Sequence, residues 1–248
     1  MQAQISLSIL GYEKELRKKI DDITHATVFT DITYLVNSGK LYSLHIDVMR
    51  PPFIPEKSVF PIKVIKQIYG MFNNKINLDL HLMVAEPIRF IRHIDNFIKP
   101  NNKTRISIII QYEAYNQEDK VIKALKTLSD SHYRIGIGLD LKTPIKKLTK
   151  RIVDNADFIF LMCVPMGKGG QIYDEQATKK IKYISKNFSE KIVEVDGGIN
   201  DITIKFAKNA GAKIFAIGSY ITNSGKPSEA VNGIKEILKT KNKGEITT

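Results

Sequence analysis

Eight short apolar runs rich in β-branched residues, separated by stretches of amphipathic helical spacing, restrict most what this 248-residue chain can become. The runs are Gln4 to Leu10, Leu41 to Val48, Leu78 to Met83, Arg105 to Gln111, Arg134 to Asp140, Phe158 to Cys163, Ile192 to Val195 and Lys213 to Ile217. A strand apolar along its whole length has both faces covered, as in a parallel sheet, and parallel neighbours need a long crossover between them. Helical patterns at Tyr12 to Ile23, Pro87 to Phe97, Asp119 to Leu128, Pro144 to Ile152, Asp174 to Asn187, Asp201 to Asn209 and Ser228 to Leu238 supply such crossovers. Eight repeats predict an α/β chain closed into a single (β/α)8 barrel over 1–238, with 239–248 as a polar C-terminal tail. The alternative is an open doubly wound sheet, but no G-x-G-x-x-G follows the first run, where a dinucleotide fold would carry it.

With 43% hydrophobic residues the chain can fill one sizeable core. Glu13, Glu15, Arg17, Lys18 and Lys19 interrupt the first twenty residues, which excludes the apolar segment of a secretion signal. No run approaches the roughly 20 apolar residues that span a bilayer, so a cytoplasmic protein with no membrane partner is expected. Cys163 is the single cysteine and has no intrachain partner. The net charge of +12 raises the question of nucleic acid. The basic residues are spread over periodic segments, among them Lys146-Lys147, Lys150-Arg151 and Lys179 to Lys182, without interleaved aromatics. That is the pattern of solvated helix faces, and no nucleic-acid partner is expected, although a basic surface can gather an anionic substrate.

In parallel barrels the ends of the strands form the chemical face. His45 and Asp47 lie two apart on one run and leave the same side of it, with Leu44, Ile46 and Val48 on the other. The pair is expected to face the barrel mouth. His81 lies near the end of the third run and Asp196 just beyond the seventh, whereas His25, His93 and His132 fall outside run ends. Two imidazoles and two carboxylates from three strand ends form a mixed nitrogen and oxygen set that suits zinc, iron, manganese or cobalt. Each residue alone also fits an ordinary structural place, and it is their convergence that signals a site. Glycines form a second signal: Gly167, Gly169 and Gly170 around Lys168 after the sixth run, Gly197-Gly198 after the seventh, and Gly218-Ser219 after the eighth. Loops after strands seven and eight are the usual phosphate site of such barrels.

From about Ser6 to Thr222 these motifs resemble the ribulose-phosphate 3-epimerase family in order and spacing. The resemblance is carried by Ser8-Ile9-Leu10, His45-Ile46-Asp47-Val48-Met49, Asp79-Leu80-His81-Leu82-Met83-Val84, Thr143-Pro144, Met162 with Gly167 to Gln171, Val195-Asp196-Gly197-Gly198-Ile199-Asn200 and Gly218-Ser219. It implies an isomerase that epimerises a phosphorylated ketose, D-ribulose 5-phosphate to D-xylulose 5-phosphate, and a homo-oligomer. It further implies one divalent metal ion on His45, Asp47, His81 and Asp196, with the two aspartates as acid and base on opposite substrate faces. Ser8, Met49, Met83 and Met162 would line the substrate cavity together with His81, while Gly167 to Gly170, Gly197, Gly198, Gly218 and Ser219 would hold substrate.

Three departures bear on the substrate. Arg50-Pro51-Pro52 follows Met49 where the family usually has Asp-Gly-His, Pro165-Met166-Gly167-Lys168 stands where Asn-Pro-Gly-Phe is common, and Gln111-Tyr112-Glu113 replaces a common His-x-Glu. Arg50 and Lys168 add cations that suit a different phosphorylated sugar, a hexulose or heptulose phosphate. A decarboxylase or aldolase on a related barrel is a weaker reading, because no lysine sits at a strand end beside the candidate ligands. From another class, a non-catalytic barrel that binds nucleic acid or protein would use the positive charge alone.

Overall fold

The computed structural model describes residues 2–240. Eight parallel strands close in sequence order into a barrel: β1 (Gln4–Ser8), β2 (Ser43–Met49), β3 (Asn77–Met83), β4 (Ile106–Gln111), β5 (Arg134–Leu139), β6 (Phe158–Met162), β7 (Ile192–Asp196) and β8 (Ile214–Ile217). The expected closure is therefore observed. Strand limits shift by one or two residues from the sequence reading, and two of the shifts bear on the site. The first strand ends at Ser8, because Leu10–Tyr12 turns into a short 3-10 helix, and Asp196 is the last residue of β7 rather than a loop residue.

The helices that follow the strands are α1 (Glu13–Lys18) and α2 (Thr27–Asn37), α3 (Ile62–Phe72), α4 (Pro87–Asp95), α5 (Glu118–Ser129), α6 (Lys150–Asp154), α7 (Glu175–Asn187), α8 (Thr203–Ala210), and finally α9 (Ser219–Thr222) with α10 (Pro227–Lys239). Helices α2 and α3 are additions to the sequence reading. Their buried faces, Val28, Phe29, Ile32, Leu35 and Val36 in one and Val64, Ile65, Ile68, Tyr69 and Phe72 in the other, carry β-branched and aromatic residues of modest helix propensity. Tertiary burial, not propensity, sets them as helices. The last helix runs to Lys239; the remainder of the expected tail, 241–248, lies outside the described residues. Among the described residues no helix is long and apolar enough to cross a membrane.

Alternation along the strands sorts side chains into two bodies. Residues such as Leu7, Leu44, Ile46, Val48, Leu80, Ile110, Ile137, Leu161 and Val195 point outward and join the helices in the main core. The opposite parity points into the barrel. Register pairs Ser8 with His45, Asp47 with His81, Gln111 with Gly138 and Met162 with Asp196, so one ring of inward side chains hands over to the next. The interior is divided. Ile109 of β4 and Phe158, Phe160 and Met162 of β6 fill one side, while β1 to β3 and β7 contribute buried Ser6, Ser8, Ser43, His45, Asp47, Asp79, His81 and Glu194, joined by Ser107 and Gln111 of β4. On β5, between β4 and β6, Gly136 and Gly138 face inward; a Cβ on Gly136 would lie 2.5 Å from Phe158 Cζ, so the absence of a side chain there makes room for that ring.

Candidate metal centre

The four residues that the strand ends were expected to bring together do converge. His45, Asp47, His81 and Asp196 each offer one ligand atom, and these atoms all lie within 4.8 Å of one another. His45 and Asp47 descend from β2, His81 from the adjacent β3, and Asp196 arrives from β7 across the barrel. Of the pair expected to face the barrel mouth, Asp47 lines the cavity there, and His45 lies fully buried in the interior, stacked on the Phe160 ring at 5.4 Å between centroids. Asp47 is the hub. One carboxylate oxygen faces His81 Nδ1 at 3.0 Å and His45 Nε2 at 3.4 Å, and the other accepts from the Ser8 hydroxyl at 3.0 Å.

The electrostatics of this group are polarised. Burial works against charge on Asp47, but His45 beside it reverses the sign and the carboxyl lies well below the usual range. Burial, reinforced by Asp47, pushes Asp196 up to about 7. Burial would lower His45 too, yet Asp47 and Glu194 reverse the sign and raise it well above the ordinary imidazole range. For His81 burial prevails and its pKa is lowered. Both ring nitrogens of His45 lack a hydrogen-bond partner although buried. Unpaired buried nitrogens cost free energy, and four nitrogen and oxygen donors around one point are what a divalent first-row ion would satisfy. The residues present therefore fit a metal.

Above the group lies a cavity of about 370 Å³. Its lining includes Ser8, Asp47, Met49, Met83, Met162, Gly167, Lys168, Gly169, Gly170, Asp196, Gly197, Gly198, Gly218 and Ser219. His81, also expected to touch substrate, is fully buried behind Asp47 and is not among the residues lining the cavity. The methionines have a packing role as well: Met49 and Met83 cluster with Ile54, and Met162 with Phe160. Gly198 is held at φ +65°, and a Cβ there would meet the Tyr173 amide nitrogen at 2.3 Å, so only glycine fits this loop. Lys14 of α1 also lines the cavity, a cation that strand-end reasoning passed over because it sits on a helix.

Two residues change meaning in three dimensions. Arg50 does not line the cavity: its guanidinium donates to the carbonyls of Met49 (2.6 Å), Val59 and Phe60 (2.6 Å), stapling the loop after β2. Glu194, unremarked in the sequence, is fully buried with Oε1 3.7 Å from His45 Nδ1, and burial followed by Asp79 pushes it up to about 7. The signal was available, since Glu194 shares strand parity with Asp196.

Residues 20–222 match the sequence profile of the Ribulose-phosphate 3 epimerase family. The chain is 29% identical over 195 residues to the ribulose-phosphate 3-epimerase of Schizosaccharomyces pombe, covering 77% of this chain and 80% of that protein. It is 30% identical over 218 residues to the ribulose-phosphate 3-epimerase of Buchnera aphidicola subsp. Baizongia pistaciae, covering 86% of this chain and 90% of that one. Among solved structures, 3-keto-L-gulonate-6-phosphate decarboxylase from Vibrio cholerae superposes with a TM-score of 0.65 at 11% identity, covering 96% of this chain and 98% of the other. At that identity the likeness speaks for the barrel alone. With its profile matched over residues 20–222, from just after α1 to the end of α9, and the strand-end residues gathered around one cavity, the chain belongs to the ribulose-phosphate 3-epimerase family, whose members are isomerases of sugar phosphates.

Proposed function

We propose that the protein interconverts D-ribulose 5-phosphate and D-xylulose 5-phosphate by moving the C3 hydrogen from one face of the sugar to the other through an enediolate. The observation that carries this reading is geometric: Asp47 from β2 and Asp196 from β7, strands that are not neighbours, line one cavity beside two buried imidazoles, and in the ion-free fold their environments push the two carboxyls apart, Asp47 down and Asp196 up. Inversion needs an ionised acceptor on one face and a protonated donor on the other, and carboxyls whose environments push them apart supply that pair. Asp47 is the acceptor and Asp196 the donor in one direction, with the roles exchanged in the reverse. Ser8, donating to Asp47 Oδ2, fixes the plane of the acceptor.

The His45, Asp47, His81 and Asp196 set would hold the divalent cation, zinc, iron, manganese or cobalt, whose charge stabilises the oxygen that becomes negative as C3 loses its proton. Backbone amides of Gly197, Gly198, Gly218 and Ser219 take the phosphate, with Lys14 and Lys168 nearby on the rim. Anchoring the remote phosphate orients C3 between the carboxylates. A longer ketose phosphate is the competing substrate, favoured by Lys168 but not by Arg50, whose donors are occupied by backbone carbonyls.

Deuterium uptake from solvent at C3 of D-ribulose 5-phosphate tests the proposal. Cation-dependent exchange should fall by about 10²- to 10⁴-fold in both Asp47→Asn and Asp196→Asn. Absence of exchange in the cation-loaded wild type would overturn it, and faster turnover of a hexulose or heptulose phosphate would transfer the assignment to the longer sugar.

A further inference from the structure

Gln111, at the end of β4, is fully buried, and its amide contacts two oxygens at one end and a histidine ring nitrogen at the other. One end meets His81 Nε2 at 2.5 Å. The other meets the Gly138 carbonyl at 3.2 Å and Glu113 Oε2 at 2.9 Å. A carbonyl oxygen only accepts, so the amide nitrogen must face Gly138 and Glu113, and the amide oxygen is left facing His81. The reverse orientation would set oxygen against oxygen and strand a buried amide. Glu113 is itself anchored, its second oxygen accepting from the Asp140 backbone amide at 2.9 Å.

The consequence falls on His81. An acceptor at 2.5 Å requires the proton on Nε2, which leaves Nδ1 as a bare lone pair. That lone pair looks at Asp47 Oδ1 from 3.0 Å. Two acceptors at hydrogen-bond distance repel unless a cation or a proton lies between them. We propose that Gln111 is a positioning residue that fixes His81 as its Nε2–H tautomer and so aims Nδ1 at the cation site. Gly138 belongs to the same device, because a Cβ at that position would lie 2.7 to 2.9 Å from the atoms of the Gln111 amide group and displace it. A glutamine thus does here what a carboxylate or carbonyl does behind most metal-binding histidines.

The inference rests on the cation reading of the site, and its test separates the two. Long-range proton–nitrogen correlation spectra of ¹⁵N-labelled, metal-free protein report which ring nitrogen of His81 carries the proton, and a Co²⁺ titration reports affinity. Gln111→Met keeps the side-chain length and removes the amide; Gly138→Ala pushes the amide aside without changing it. Wild type should show the Nε2–H form alone, and each variant a mixture, with Co²⁺ bound about 10- to 100-fold more weakly. The double variant should bind no more weakly than the worse single one, because both changes cut one contact. Gln111→His, which presents a ring nitrogen as acceptor, should recover most of the affinity. An unchanged tautomer with Co²⁺ affinity within about threefold of wild type in both single variants would overturn the proposal. If Gln111→Met fails to fold, Gly138→Ala alone decides. A wild type that takes up no Co²⁺ ends the cation reading, while the tautomer spectra still judge Gln111.

Discussion

Arg50 Nη2 donates to the Phe60 carbonyl at 2.6 Å, and through that bond the loop after β2 is tied back onto the chain ten residues further on. Its charge is consumed by backbone carbonyls and lies over the Phe90 ring at 5.6 Å, so it supports the roof of the site and does not read the sugar. Arg50→Ala should lower the unfolding free energy by about 2 to 3 kcal/mol, the scale of hydrogen bonds from a charged donor. The ratio of rates on ribulose 5-phosphate and on longer ketose phosphates should stay unchanged. Urea denaturation and a substrate panel check the two halves separately, and a shift in the ratio would return Arg50 to the cavity.

The metal-free protein should lose stability as pH rises from about 5 to about 8. Asp196 and Glu194, pushed up to about 7 by burial and then by Asp47 and Asp79 respectively, keep protons in the fold that the unfolded chain has already released. Stability therefore falls as pH climbs from the ordinary carboxylate range through about 7. His45 adds to the trend: its raised pKa contributes stability below the ordinary imidazole value that is lost as pH passes the folded one. Asp47, depressed, acts only at acid pH. Because ligation displaces protons, Mn²⁺ or Co²⁺ should raise the melting temperature more at about pH 8 than at about pH 6. Thermal scans in chelator and in excess metal at both pH values measure the difference.

Gly198→Ala introduces a side chain at φ +65°, with its Cβ 2.3 Å from a backbone nitrogen that cannot yield. The cost should be about 1 to 3 kcal/mol of stability. Distortion of the loop should also raise KM for a phosphorylated substrate more than it lowers kcat, which steady-state kinetics would show; an unchanged KM would remove this loop from phosphate binding.

Phe160→Ala removes the ring that stacks on His45 and lies 4.6 Å, centroid to centroid, from His81. A fully buried aromatic lost from the interior should cost about 3 to 5 kcal/mol. Co²⁺ affinity should fall with it, since both imidazoles lose the wall that orients them; calorimetry and metal titration report the two losses.

The barrel and the His45, Asp47, His81 and Asp196 set were legible because both depend on strand periodicity: a period of two fixes which side chains share the interior, and strand order brings β2 and β3 together. What periodicity does not carry is the register between strands. Glu194 could be placed inside the barrel from its parity, but its approach to His45 depends on how far β7 is displaced along the barrel relative to β2. Arg50 was misleading for a related reason, since an arginine beside a ligand motif reads as a substrate contact until the carbonyls of Val59 and Phe60 fold back against it. Helices α2 and α3 escaped because their apolar residues resemble those of strands, and only packing on the outer core decides between the two.

The interior below Asp47 is closed by Phe158, Phe160 and His45, all fully buried, with Arg134 lying over the Phe158 ring at 4.2 Å. A vessel stoppered at one end has a single doorway, so an ion and a sugar phosphate must use it in turn. The ion has to settle first, and while a sugar sits above, it has no exit. Turnover should thus shield the enzyme from chelators that strip it readily at rest, a kinetic protection that follows from two phenylalanines with no chemistry of their own.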